Sequence, residues 1–272
     1  MTSETVEALL ARHERVPARS GAAAQVLRLV DDPAASAHDL ARALGTDPVL
    51  AARVLRVANS SYYGLSGRIS TLPFAVSVVG FQAVRSLAVV VAAGLDDADG
   101  VPAGFWRGAA LTATAAELVA PLLQAEAGDA FSLGLLHTLG AALLHQEAPL
   151  PALCLPEGDD EHLLQVERDT YGISHDELGS RVLRAWHVPE RLCDLVATHH
   201  QVPGPDAEPL VRTLQVARRL ADHLLRAADG PVPGPDLAWL TQGRVGGMQT
   251  ADLLTCTADR AERLLEGLRD RG

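Results

Sequence analysis

Five residues of this 272-residue chain are of the right type, and lie in the right places, to do chemistry together. His137 sits inside the apolar run FSLGLLHTLGAALL, and His175 opens a helical pattern in YGISHDELGS. His199 and His200 close the segment VATHH, and Asp222 follows in RRLADHLL. Imidazole and carboxylate are the ligands that borderline divalent metals accept, and ligands from separate helices of a bundle can converge on one inward site. The spacing alone is not diagnostic, because the sequence has no HExxH and no Cys/His cluster. Each residue also has a plainer reading. His137 fits a hydrogen-bonded core histidine, and His175 fits a helix cap region. His199-His200 would place favourable charge at a helix C-terminus. Asp222 fits a solvated carboxylate or a partner of Arg218 or Arg219.

A second group is suited to recognition. Asn59 to Gly64 (NSSYYG) reads as an irregular turn, with Tyr62 and Tyr63 as amphipathic anchors for a partner. The alternative is that Asn59 and Ser60 cap helices and the tyrosines pack between two halves of the molecule. Arg53, Arg56, Arg85 and Arg107 are candidate anion contacts, or else ordinary surface arginines. All 23 basic residues are arginine, so any phosphate contact falls to that side chain's forked geometry. The formal net charge of -11 argues against broad attraction to nucleic acid or an anionic membrane. His38 to Asn59 has the outline of a helix-turn-helix. Its second helix, however, offers Val49, Leu50, Val54, Leu55 and Val57, which suit burial rather than a DNA groove.

The elements that must position these residues are helical. Aromatics make up only 4% of the chain, so Ala, Leu and Val must do the packing, and Ala and Leu favour helix. The patterns predict helices over Ala22 to Val30, from Ser36 as N-cap to Leu44, and from Asp47-Pro48 to Ala58. Thr71 to Pro73 restarts a helix that pauses near Gly80, and Gln82 to Gly94 follows. Asp96 to Gly100 reads as a linker. Beyond it come Phe105 to Gln124, Ala130 to Gln146, and a proline-containing loop from Pro149 to Asp160. Glu161 to Tyr171, His175 to Trp186, Pro189 to His200, Pro209 to Ala228 and Thr250 to Leu268 complete the set. No segment alternates with a period of two, so no sheet is expected and the fold class is all-α. Cys154, Cys193 and Cys256 form no CxxC pair and read as buried free thiols in a reducing cytoplasm. The N-terminus has no signal-peptide pattern, and the apolar run Leu87 to Leu95 is too short to span a bilayer.

Two stretches then become recognisable. The first is DLARALGTDPVLAARVLRVANSSYYGLSGRISTLPFAVSVVGFQAVRSLAV, with Asp47-Pro48, Arg53-Val54-Leu55, Ala58-Asn59-Ser60, Tyr63-Gly64, Ile69 and the Gly80 region as its marks. The second is GLLHTLGAALL followed by GISHDELGSRVLRAWHVPERLCDLVATHH. From about Val16 to Leu225 the chain resembles the HDOD family, a branch of the HD superfamily of metal-dependent phosphohydrolases. The resemblance implies an HD-related multi-helix bundle, with residues 16–225 as the HDOD domain. Within it, an N-terminal helical subdomain (1–96) would pack on an HD-like subdomain (97–228), followed by a C-terminal helical extension (229–272). It also implies a cytoplasmic bacterial signalling role and an as yet unidentified signalling protein as partner.

Two departures bear on mechanism. Catalytic relatives carry a His-Asp doublet where this chain has His137-Thr138, and an earlier histidine is expected around Phe105-Trp106-Arg107-Gly108, where there is none. No cofactor is expected, although the remnant set His137, His175, His199, His200 and Asp222 could still hold one divalent metal ion at most; the leading reading predicts no stoichiometric metal. The sequence therefore reads as a stand-alone regulatory module that acts through protein–protein contact without catalysis. One alternative is a metal-dependent phosphohydrolase. Another is a nucleotide or nucleic-acid sensor using Arg53 and Arg56.

Overall fold

The computed structural model describes residues 3–14, 21–95, 101–147, 160–226 and 236–268, and the described residues are all helix, turn or loop with no strand. Local chemistry sets where several helices start. Helix α1 is Ser3–Glu14 and α2 is Gly21–Val30. Helix α3, Ala37–Leu44, begins at a full capping box: the Ser36 hydroxyl accepts from the Asp39 N–H, and the Asp39 carboxylate accepts from the Ser36 N–H. Helix α4, Pro48–Ala58, has Asp47 accepting from the N–H groups of Val49 and Leu50, with proline in the first turn, where no N–H is needed. A 3-10 turn, Ser61–Tyr63, follows. Helices α5 (Leu72–Val79) and α6 (Phe81–Ala92) meet at 108° across Gly80, whose φ of 86° is open to glycine and strained for other residues.

The second half is built around α7, Phe105–Leu123. Its alanines 110, 113, 115, 116 and 120 are fully buried, and these short side chains let three helices approach it. The three are α8 (Ala127–Leu136), α13 (Pro209–Leu225) and the C-terminal α15 (Gly247–Leu268). Between α8 and α13 come α9 (Leu139–Glu147), α10 (Asp160–Tyr171), α11 (His175–Ala185) and α12 (Glu190–Ala197), and the short α14 is Asp236–Leu240. Helix α1 lies on α11, and the Trp186 indole N–H donates to the His13 carbonyl at 2.9 Å.

Four expectations are corrected. The helix expected over Ala130 to Gln146 is two helices, broken at His137-Thr138. The His137 imidazole turns back onto the Gly134 carbonyl, and Thr138 supplies the first carbonyl of α9 to Ala141 and Ala142. Apolar periodicity does not register such a stop, because both sides stay buried. The helix expected over Pro189 to His200 ends at Ala197, so His199 and His200 lie in the turn beyond it. Arg53 and Arg85 are not surface arginines, since each is 1% exposed. Of the cysteines, Cys193 is buried but Cys256 is exposed on α15, and Cys154 lies outside the described residues. The linker Asp96 to Gly100 and most of the loop from Pro149 also lie outside them. By length and composition Ala127–Glu147 is apolar enough to cross a membrane, yet 72% of its apolar 18-residue window is buried within the bundle, as in the core helices of a soluble fold.

Candidate metal centre

The site starts from a close crossing of α9 and α11. A Cβ on Gly140 would stand 1.9 Å from the His175 carbonyl oxygen, so only glycine lets the first turn of α11 come this near. His175 thereby enters the interior and is 3% exposed. The Glu167 carboxylate of α10 accepts from its backbone N–H at 2.8 Å and from its Nδ1 at 2.7 Å. His199, also 3% exposed, bonds through Nδ1 to the Val196 carbonyl at 2.6 Å. The His199 carbonyl is held in turn by Gln215 at 2.6 Å and by Arg218 at 2.5 Å, both from α13. His200 places Nδ1 2.7 Å from Asp160, which also receives Arg218 at 3.2 Å.

A carbonyl or a carboxylate only accepts, so Nδ1 of His175 and of His199 donates and turns Nε2 of each ring toward the centre. Nδ1 of His200 lies nearer the Asp160 carboxylate, at 2.7 Å, than the Arg218 guanidinium, at 3.2 Å, which favours the same arrangement there. The Nε2 atoms face one another: His175 to His199 is 3.3 Å, and His175 to His200 is 2.9 Å. Three lone pairs converging in this way repel unless a cation lies among them. Among the described residues, His175, His199 and His200 form the set whose ligand atoms all lie within 4.8 Å of one another. Burial supports the neutral form. It holds His199 well below the usual imidazole range, with Arg218 adding to the effect, and it lowers His200 despite the opposing pull of Asp160. The hydrogen bond from His200, together with Arg218, keeps Asp160 ionised. Neutral imidazoles with Nδ1 tied to carboxylates or carbonyls are the arrangement a divalent metal takes, so the residues present fit such an ion.

The other predicted residues fall around this centre. His137 stacks edge-on to His199 at 5.3 Å between ring centres, and its Nδ1 meets the Gly134 carbonyl at 2.9 Å. Burial pushes its pKa down to about 3. Asp222 is one turn beyond Arg218 on α13 and outside the three-histidine set. It is an exposed residue, yet the protein crowding its carboxyl raises the pKa against the pull of Arg218 and Arg226. Near Gly108 the closest neighbour of an added Cβ would be the Leu225 side chain, at 3.7 Å. Asp160, Glu167 and Gln215 were not singled out in the sequence. Their signal was available only as position, since Asp160 and Glu167 are seven residues apart on one helix and therefore share a face.

The recognition group is placed between helices. The Asn59 side chain donates to the carbonyls of Leu55 (3.0 Å) and Ile69 (2.7 Å) and accepts from the Ile69 N–H (2.9 Å), which staples the turn to α4. The buried Ser60 hydroxyl donates to the Val57 carbonyl. Tyr62 hydrogen-bonds to Glu117 of α7 beneath the Arg260 guanidinium of α15, and Tyr63 packs edge-on to Tyr62. Arg53 donates to the Leu268 carbonyl at the end of α15 and lies over the Trp106 ring, while Arg56 is half-buried beside it.

A family model for the HDOD domain matches residues 16–202. The chain belongs to the HDOD family. This HDOD chain is 26% identical over 243 residues to an uncharacterized protein of Treponema pallidum (strain Nichols). That alignment takes 85% of this chain and 46% of the other, so the chain spans about half the length of that curated relative. Its fold is shared with three solved structures. A protein of Shewanella amazonensis SB2B, provisionally described as a phosphohydrolase, is 22% identical with a TM-score of 0.67, covering 94% of this chain and 98% of that one. An HDOD domain protein of unknown function from Geobacter sulfurreducens is 22% identical with a TM-score of 0.62, covering 95% and 98%. A protein of Marinobacter aquaeolei VT8, provisionally described as a signal transduction protein, is 23% identical with a TM-score of 0.69, covering 91% and 58%. At these identities the likeness is one of fold.

Proposed function

We propose that this HDOD chain is a regulatory signalling module whose hydrolase-type centre holds one divalent metal ion and does not turn over phosphodiesters. The observation that carries the reading is the convergence of three Nε2 atoms from His175, His199 and His200, each ring anchored through Nδ1. These three residues would hold the ion. When bound, it would supply a fixed positive charge that joins the start of α11 to the turn after α12. A two-metal hydrolytic centre needs ligands for a second ion and a carboxylate to bridge the pair. In this chain Thr138 offers a neutral hydroxyl beside His137, Asp222 stands outside the cluster, and Gly108 has no side chain to contribute. HDOD membership supports the signalling half of the proposal, with a cytoplasmic protein as the partner.

The test is metal analysis of freshly purified protein, followed by assay against cyclic and linear phosphodiesters. One equivalent of metal without turnover is expected. Two equivalents with turnover would overturn the reading in favour of a phosphohydrolase.

A further inference from the structure

We infer that α10 is the orienting element of the histidine centre: Asp160 and Glu167 hold His200 and His175 by their Nδ1 atoms and set the affinity of the three Nε2 atoms for a divalent cation. The inference rests on the one-metal reading and concerns residues that reading does not use as ligands. Residues 160 and 167 lie two turns apart on one face of α10 and reach two different histidines of the cluster, at 2.7 Å in each case.

Glu167 is 5% exposed, deep burial for a carboxylate, and Oε2 takes both polar hydrogens that His175 offers on that side. A carboxylate on Nδ1 locks the ring against flipping and makes the opposite nitrogen a better electron donor. Asp160 does the same for His200, and Arg218 keeps it in place while gripping the His199 carbonyl. His199 is the internal contrast. Its Nδ1 meets a backbone carbonyl three residues upstream, so its ring is anchored by no side chain of α10. The helix is mostly polar, and Leu164 and Tyr171 are its other buried side chains. The two carboxylates are positioning residues; they touch the ligands, not the ion.

The experiment is titration of the full chain, stripped of metal, with Co(II), following the visible spectrum of the bound ion, and with Zn(II) in competition. Glu167→Gln and Asp160→Asn keep an accepting oxygen and remove the charge. Each is expected to weaken binding by roughly 10- to 100-fold and to shift the cobalt spectrum, while Glu161→Gln, on the exposed side of the same helix, changes neither. Thermal midpoints measured in chelator separate positioning from folding, because a purely structural role would lower them and leave the spectrum of the bound ion unchanged. If Glu167→Gln fails to fold, Asp160→Asn decides alone, since Asp160 is only half-buried. Wild-type affinity and spectrum in both carboxylate variants would overturn this inference and leave the one-metal reading standing. No cobalt binding by the unaltered protein would overturn the reading itself, and this inference with it.

Discussion

Two buried polar clusters, one in each half of the molecule, look alike in the sequence and behave differently in the structure. Around α4, the side chains of Arg53, Asn59 and Ser60 turn onto backbone carbonyls of the protein itself. Around α11, three imidazoles have one nitrogen tied and the other aimed at its neighbours. The first cluster is closed on the protein's own backbone through these contacts, which hold the fold. The second keeps a shared unmet valence, which an external cation would satisfy. Burial, polarity and hydrogen bonding are common to both, and the direction of the remaining lone pairs separates them.

The sharpest way to break the comparison is to delete one member of each cluster. His175→Ala or His199→Ala is expected to abolish stoichiometric metal, measured by elemental analysis, while Asp222→Asn binds as the unaltered protein does. Retention of one equivalent by both histidine variants would place the ion elsewhere. In the closed cluster the deficit is expected in folding instead. Arg53→Ala removes a buried cation with its carbonyl and ring partners and should cost about 3 kcal/mol, and Asn59→Ala about 2 kcal/mol, by denaturant unfolding in chelator, with metal content unchanged.

The smallest effect is a slope. The folded pKa of His137 is depressed to about 3, so as pH falls below the unfolded value near 6.5 the unfolded chain takes up the proton first. The contribution of His137 is therefore complete above pH 6.5 and declines between 6.5 and 3, by roughly 1 kcal/mol per pH unit in the steepest part, alongside a decline of the same sign from His199 and His200. A His137→Leu variant should reduce that slope in metal-free protein by the His137 share. A slope unchanged by the substitution would remove His137 as its source. Tyr62 and Tyr63, whose phenols burial raises, stay neutral across the same range, so the closed cluster gives no matching signal.

Much of this was legible in the sequence where the determinants are local. Ser36, Asp47-Pro48 and Gly80 each act on their own helix ends, and the helices start or bend there. The break at His137-Thr138 was hidden because a side chain returning to its own backbone leaves the apolar pattern intact. Asp160 and Glu167 were hidden because charges on a polar helix ordinarily read as a solvated face, and burial of Glu167 depends on α11 lying against it. Arg53 and Arg85 read as surface residues for a similar reason: what meets each of them lies far along the chain, the Leu268 carbonyl for one and Asp31 for the other. The candidate ligands were visible as residue types, whereas their convergence required the glycine crossing at Gly140, a property of two helices together.

The Arg53 contact also sets a schedule. Its carbonyl partner is 215 residues further along the chain, at the end of α15. Until Leu268 has been made, α4 must either bury a guanidinium short of that acceptor or remain open. Contacts this distant in sequence are closed late. The N-terminal half is therefore expected to stay protease-sensitive during synthesis until the final turn of α15 has been made and packs against α4, so that a segment far along the chain seals the module.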